Sequence, residues 1–223
     1  MGLQKAVQAI KANDLSVTGL CRGGFFTARD WLDDNRRAIE EAHALEADCL
    51  VLVVGGLPAG SKDLNKARER IKESIAMILP EARAAGVPLA VEPLHPMQAA
   101  DRACVNTLEH ALDICDALGE GIGVAVDAYH VWWDPKVEEQ IARAGRKRIL
   151  GYHICDWRVP TRDLLNDRAM MGDGVIDLPR LRGWVEGAGY AGMHEVEIFS
   201  ELDWWKRDPD EVLRICNERV KQC

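Results

Sequence analysis

The chain has no apolar run of the ~18 residues that a membrane-crossing helix needs, and its first residues lack the charged-then-apolar layout of a secretory signal. Its cysteines are seven, an odd number, scattered at Cys21, Cys49, Cys104, Cys115, Cys155, Cys216 and Cys223. None falls in a CxxC or zinc-finger pattern, which excludes a disulfide scaffold and fits reduced thiols. Positive charge is in deficit: 28 Lys and Arg against 36 Asp and Glu leave a net charge of -8. That balance speaks against nucleic acid as a partner, because phosphate binding draws on a basic face. It leaves room for small anionic substrates, which need only a few local cations. A soluble, cytoplasmic protein is expected, with no membrane contact. At 223 residues and 48% hydrophobic content, without a break in composition, residues 1–223 read as one globular domain.

What the chain does have is alternation. Short β-branched apolar runs recur at 16–21, 49–54, 87–92, 121–128, 149–154 and 193–199 and read as strands. Helical patterns fill about 3–13, 30–47, 63–85, 107–118, 136–144, 177–188 and 209–221. Gly86, Gly119, Gly145 and Gly189 each close a helical pattern just before a strand, the place of a C-terminal cap. Such alternation implies right-handed βαβ units on a parallel sheet covered on both faces. The repeated helix, glycine, strand rhythm favours an α/β barrel over a three-layer sandwich. A full (β/α)8 barrel has eight strands and only six are recognisable, so a barrel incomplete at its amino end is expected.

In parallel α/β folds the working side chains sit at the carboxyl ends of the strands. Applied to the last four strands, this rule returns Glu92 from "VEPLHP", Asp127 from "VAVDAYH", His153 from "GYHICDW" and Glu197 from "EVEIFS". The stretch "VEPLHP" carries a carboxylate out of an apolar run into a loop stiffened by Pro93 and Pro96, and a buried carboxylate needs a neutralising partner. Two glutamates, an aspartate and a histidine make a mixed oxygen and nitrogen ligand set suited to one divalent ion, Mn²⁺ first, with Mg²⁺ or Co²⁺ as alternatives. Four unrelated polar residues held by hydrogen bonds are the alternative. Glu195 points the same way as Glu197 but deeper in the strand, so Glu197 is preferred as ligand.

Taken together, "EPLHP", "VDAYHVWWD", "HICDW", "GDGVIDL" and "EVEIFS" resemble the sugar phosphate isomerase/epimerase family, the xylose isomerase-like TIM barrels. The match runs in order from "SVTGLCRGG" onward, with family-like spacing. The resemblance implies that "SVTGLC" is the third barrel strand and that the first two are absent. It implies one metal held by Glu92, Asp127, His153 and Glu197 at the ends of the fifth to eighth strands. It also implies isomerase or epimerase chemistry on a sugar or polyol. The metal stabilises an enediolate, and Glu92 and Glu197 act as acid/bases from opposite faces of the substrate.

Around this set, His130 matches a family histidine that contacts substrate oxygens, while His95, three residues after Glu92, is a candidate for the same mouth. Arg158 and Arg22 are candidates for a hydroxyl, carboxylate or phosphate, and each is equally readable as solvated surface. Asp177 and Pro179 open a helix as cap and first-turn proline; the resemblance to the family's Gly-acidic-Gly loop at the barrel mouth implies that Asp173 is a further substrate candidate. The tryptophan pairs 132–133 and 204–205 read either as pocket wall or lid or as packing.

One departure matters. The ketose 3-epimerase branch has an acid where this chain has Gln98, which weakens that particular assignment. An inosose-type dehydratase using the same metal, and a barrel that binds without catalysis, remain as alternatives. The related DNA-repair endonucleases use more histidines than the six present here. Unpaired strand edges invite association, so a homo-oligomer is expected.

Overall fold

A computed structural model describes residues 2–223. Six strands form one parallel sheet in sequential order: β1 (Leu20–Gly24), β2 (Leu50–Val53), β3 (Leu89–Val91), β4 (Ile122–Asp127), β5 (Ile149–Ile154) and β6 (His194–Val196). The helices are α1 (Leu3–Ala12), α2 (Trp31–Ala44), α3 (Leu64–Ala84), α4 (Leu108–Leu118), the short α5 (Ala128–Val131), α6 (Val137–Arg148), α7 (Leu178–Gly187) and α8 (Pro209–Arg219). The sheet curls into a half-barrel with helices on its convex side.

Side-chain alternation along the strands sorts the core into two parts. Leu50, Leu52, Leu89, Val91, Val124, Val126, Tyr152 and Ile154 turn outward and join the helices in the main apolar cluster. Val51, Ala90 and Ala125 turn inward with Cys49 and make a small second cluster on the concave side. The inward positions two residues further along β3, β4 and β5 are Glu92, Asp127 and His153. Period two thus places short apolar side chains beneath and polar ones at the rim.

The helices start where capping chemistry says they should. Asp63 accepts from the Lys66 amide, Thr107 from His110, Asp177 from Arg180, and Asp208 from both Asp210 and Glu211. Gly145, expected to end a helix, adopts φ 54° and ψ −175°, and the helical path of α6 breaks there before β5 begins. The expected strand at 16–21 lies later, at Leu20–Gly24. Its register is set by β2, with Leu20 opposite Leu50 and Gly24 opposite Val53, and Arg22 bulges out between Cys21 and Gly23. Among the described residues no helix is long and apolar enough to cross a membrane.

Candidate metal centre and cavity

Each acid of the rim is aimed by its own backbone. Glu92 follows β3 directly and its amide still donates to the Leu52 carbonyl at 3.2 Å. The loop beyond it is pinned, because the Leu94 amide bonds Val105 and Asn106 Nδ2 donates to the Leu94 carbonyl at 3.0 Å. Asp127 ends β4 and caps α5: its Oδ1 accepts from the Tyr129 amide at 2.8 Å, which leaves Oδ2 facing the site. Glu197 continues the β6 ladder through a 3.0 Å bond from its amide to the Ile154 carbonyl.

The four side chains converge. One donor atom from each of Glu92, Asp127, His153 and Glu197 lies within 4.8 Å of all the others. His153 turns Nδ1 toward the group, 3.0 Å from Glu92 Oε1 and 3.6 Å from Glu197 Oε2. Glu92, Asp127 and His153 are almost wholly buried. Burial pushes the Asp127 carboxyl up to about 7, even against the pull of Arg168. Burial also draws His153 down, but hydrogen bonds to Glu197 and Glu92 outweigh it and hold the ring well above its ordinary value. Glu197 moves the other way. Burial would raise it, yet the His153 hydrogen bond and the Arg168 charge keep it ionised far below the carboxylate range. Three acids and an imidazole crowded at this separation are the donor set of a divalent-cation site, and the residues present fit one.

Two further residues belong to the centre. Glu195 Oε2 lies 3.8 Å from His153 Nε2, on the side of the ring away from Nδ1. Arg168 is the second, and it escaped the strand-end rule because it comes from the loop between β5 and α7. Its Nη1 lies 3.1 Å from both Asp127 Oδ2 and Glu197 Oε2, and its Nη2 is 3.2 Å from His130 Nε2. The guanidinium is buried between the faces of Tyr129 and Phe199. No periodicity marks such a residue; only its place in the loop crossing the strand ends does, with its amide bonded to the Phe199 carbonyl at 2.9 Å.

Above the acids lies a cavity of about 270 Å³ lined by Glu92, Glu197, His130, Arg168 and Arg22, together with Gln98, Arg102 and Phe199. His130 is neutral, held well below the usual imidazole range by burial and by the Arg168 charge. His95 does not line this cavity. It packs between Trp133 and Trp157, at ring separations of 5.8 and 4.8 Å, and donates its backbone amide to His130 Nδ1 at 3.1 Å. Arg158 is likewise drawn off, facing Asp167 and Asp203 at 3.4 Å each, and Asp173 pairs with Arg219 at 3.1 Å outside the cavity. The acid that orders the Gly-rich loop is Asp156, whose two oxygens accept from the amides of Trp157, Gly172, Gly174 and Ile176. Trp132 packs against Trp157 at 5.7 Å; Trp204 is buried, and the exposed Trp205 lies against Phe199.

The profile of the xylose isomerase-like TIM barrel family matches residues 2–216. The chain belongs to this family. Protein SMc04130 of Sinorhizobium meliloti 1021 is 62% identical where the two align, over the whole of this chain and 83% of that one, with a TM-score of 0.97. An inosose isomerase of Bacillus velezensis is 31% identical over 162 residues, 69% of this chain and 56% of the relative. The chain thus spans about half the length of that curated relative. The crystal structure of the IolI protein with a bound zinc atom superposes with a TM-score of 0.78 at 23% identity, over all of this chain and 81% of that one, a likeness of fold.

Proposed function

We propose that this xylose isomerase-like barrel is a divalent-metal-dependent isomerase or epimerase of a small sugar or polyol. The observation that carries the reading is the convergence of Glu92, Asp127, His153 and Glu197 within 4.8 Å, with Glu92 and Glu197 in the wall of a cavity of about 270 Å³. The inosose isomerase named among the relatives supports the same reaction class, and the zinc in the IolI structure supports a metal of this charge.

The four residues would hold the ion. Bound there, it would polarise a carbonyl and a neighbouring hydroxyl and so acidify the adjacent C–H. Glu92 and Glu197 are the proton carriers. Glu197 is kept ionised by His153 and Arg168 and is ready to accept a proton, while Glu92 opens onto the same cavity from β3, three strands away. His130, neutral and facing the cavity, presents a ring that can bond a substrate hydroxyl, and its backbone tie to His95 fixes the ring plane. A homo-oligomer that covers the outer edges of β1 and β6 completes the proposal.

The test is exchange of substrate C–H for solvent deuterium across a panel of ketoses, aldoses and inososes in the presence of Mn²⁺. The expected result is incorporation by the native protein and loss by about 10²-fold or more in Glu92→Gln and Glu197→Gln. Elimination of water without return of the proton would move the assignment to a dehydratase. Undiminished exchange in either variant would remove the two-glutamate scheme.

A further inference from the structure

Besides the acids, the wall of the cavity contains cationic and unpaired polar groups. Arg22 arrives from the bulge in β1, where its guanidinium stacks on the Phe25 ring at 3.8 Å. Gln98 and Arg102 come from the loop after Glu92, one helical turn apart, and both line the same cavity. Gln98 is only 4% exposed and its Oε1 has no hydrogen-bond partner among the described residues; Arg102 Nε is likewise buried and unpartnered.

Most arginines of this chain that are near an acid take it, as Arg36 does with Glu81 and Arg143 with Asp113 and Asp116. Arg22, exposed at the cavity edge, and Arg102 make no ion pair among the described residues, and partial burial together with the nearby Arg102 charge holds the Arg22 guanidinium below its ordinary value. The buried, unsatisfied Arg102 N–H costs free energy unless an acceptor arrives to fill the gap. A neutral hydroxyl supplies one weak acceptor. A carboxylate or phosphate matches the fork of a guanidinium and neutralises the pair. The cavity volume is just below the ~300–1,000 Å³ of ordinary ligand pockets, so it suits one monosaccharide-sized molecule with one such substituent.

We infer that Arg22 and Arg102 form an oxyanion subsite, so that the substrate is an anionic sugar or polyol whose carboxylate or phosphate lies against these two guanidinium groups, with Gln98 Oε1 accepting from a substrate hydroxyl. This rests on the sugar reading above for the identity of the rest of the ligand. It separates this chain from any relative acting on an uncharged inosose.

Calorimetric titration of the Mn²⁺-loaded protein and of Arg102→Met and Arg22→Met tests it, with a ketohexose, its 6-phosphate, a hexuronate and inorganic phosphate as probes. The expected result is that a charged sugar binds native protein at least tenfold more tightly than the ketohexose. Each variant should lose that advantage, so that it binds the charged sugar and the ketohexose alike within about twofold. Preference for the 6-phosphate or for the hexuronate identifies the oxyanion. Equal binding of neutral and charged sugars, or charged sugars indifferent to both substitutions, overturns the subsite and leaves the sugar reading standing. Arg102-dependent binding of inorganic phosphate with no sugar bound in any form supports the subsite and removes the sugar reading. Silence with every probe overturns both.

Discussion

Glu195 Oε2 stands 3.8 Å from His153 Nε2, while His153 Nδ1 on the other side of the ring stands 3.0 Å from Glu92 Oε1. The two glutamates at the end of β6 therefore face different sides of the ring. Glu197 reaches the rim, and Glu195, one period deeper, faces the back of the imidazole, where its charge would favour a proton on Nε2 once a cation took Nδ1. Histidine ligands are commonly oriented this way by a carboxylate behind them.

Replacing that carboxylate weakens the grip without removing a ligand. Glu195→Gln is expected to lower Mn²⁺ affinity by about 10- to 100-fold while the circular dichroism spectrum stays native. Calorimetry reads the affinity, and an unchanged dissociation constant would show that Glu195 has no part in orienting His153.

Arg168 is the internal counter-ion of the acids, buried beside Asp127 and Glu197. Removing one partner of a buried ion pair leaves charge uncompensated. Arg168→Met is expected to cost the metal-free protein about 3–5 kcal/mol in denaturant unfolding. The loss should be smaller with saturating Mn²⁺, because a bound cation compensates the same carboxylates. A loss equal with and without metal would mean that Arg168 acts through packing on Tyr129 and Phe199 alone.

Protons and a cation compete for this centre. His153 is held above its ordinary range despite burial, by its bonds to Glu197 and Glu92, and burial pushes Asp127 up to about 7. Both shifts are upward, so each group stabilises the metal-free fold fully below its unfolded value and loses that contribution as pH rises through its folded value. The metal-free melting temperature should therefore fall between about pH 6 and pH 8. Over the same interval Mn²⁺ affinity should climb, with proton release visible as a dependence of the calorimetric heat on buffer. Affinity that is flat across this range would contradict the assigned protonation states.

The strands β2 to β5 were legible because they are buried on both faces and read as unbroken apolar runs; the expectation for 149–154 coincides with β5. β1 was misplaced because its glycines have low strand propensity and only pairing with β2 selects them. The strand-end rule reached the three acids and the histidine that converge, since it encodes where a parallel sheet opens. It could not reach Arg168 or Asp156, whose roles depend on a loop folding back over the sheet. Spacing drew Arg158, and the family likeness of the Gly-rich loop drew Asp173, toward the mouth; the structure pairs them with Asp167, Asp203 and Arg219.

The central claim is that Glu92, Asp127, His153 and Glu197 together hold one divalent cation. Titration of the chelator-treated protein with Mn²⁺, followed by calorimetry and by the loss of the free-ion paramagnetic resonance signal, tests it directly. The account predicts one ion bound per chain and stoichiometric binding abolished in His153→Ala and Asp127→Asn. Absence of stoichiometric binding by the native chain, or binding unaltered in both variants, would contradict it.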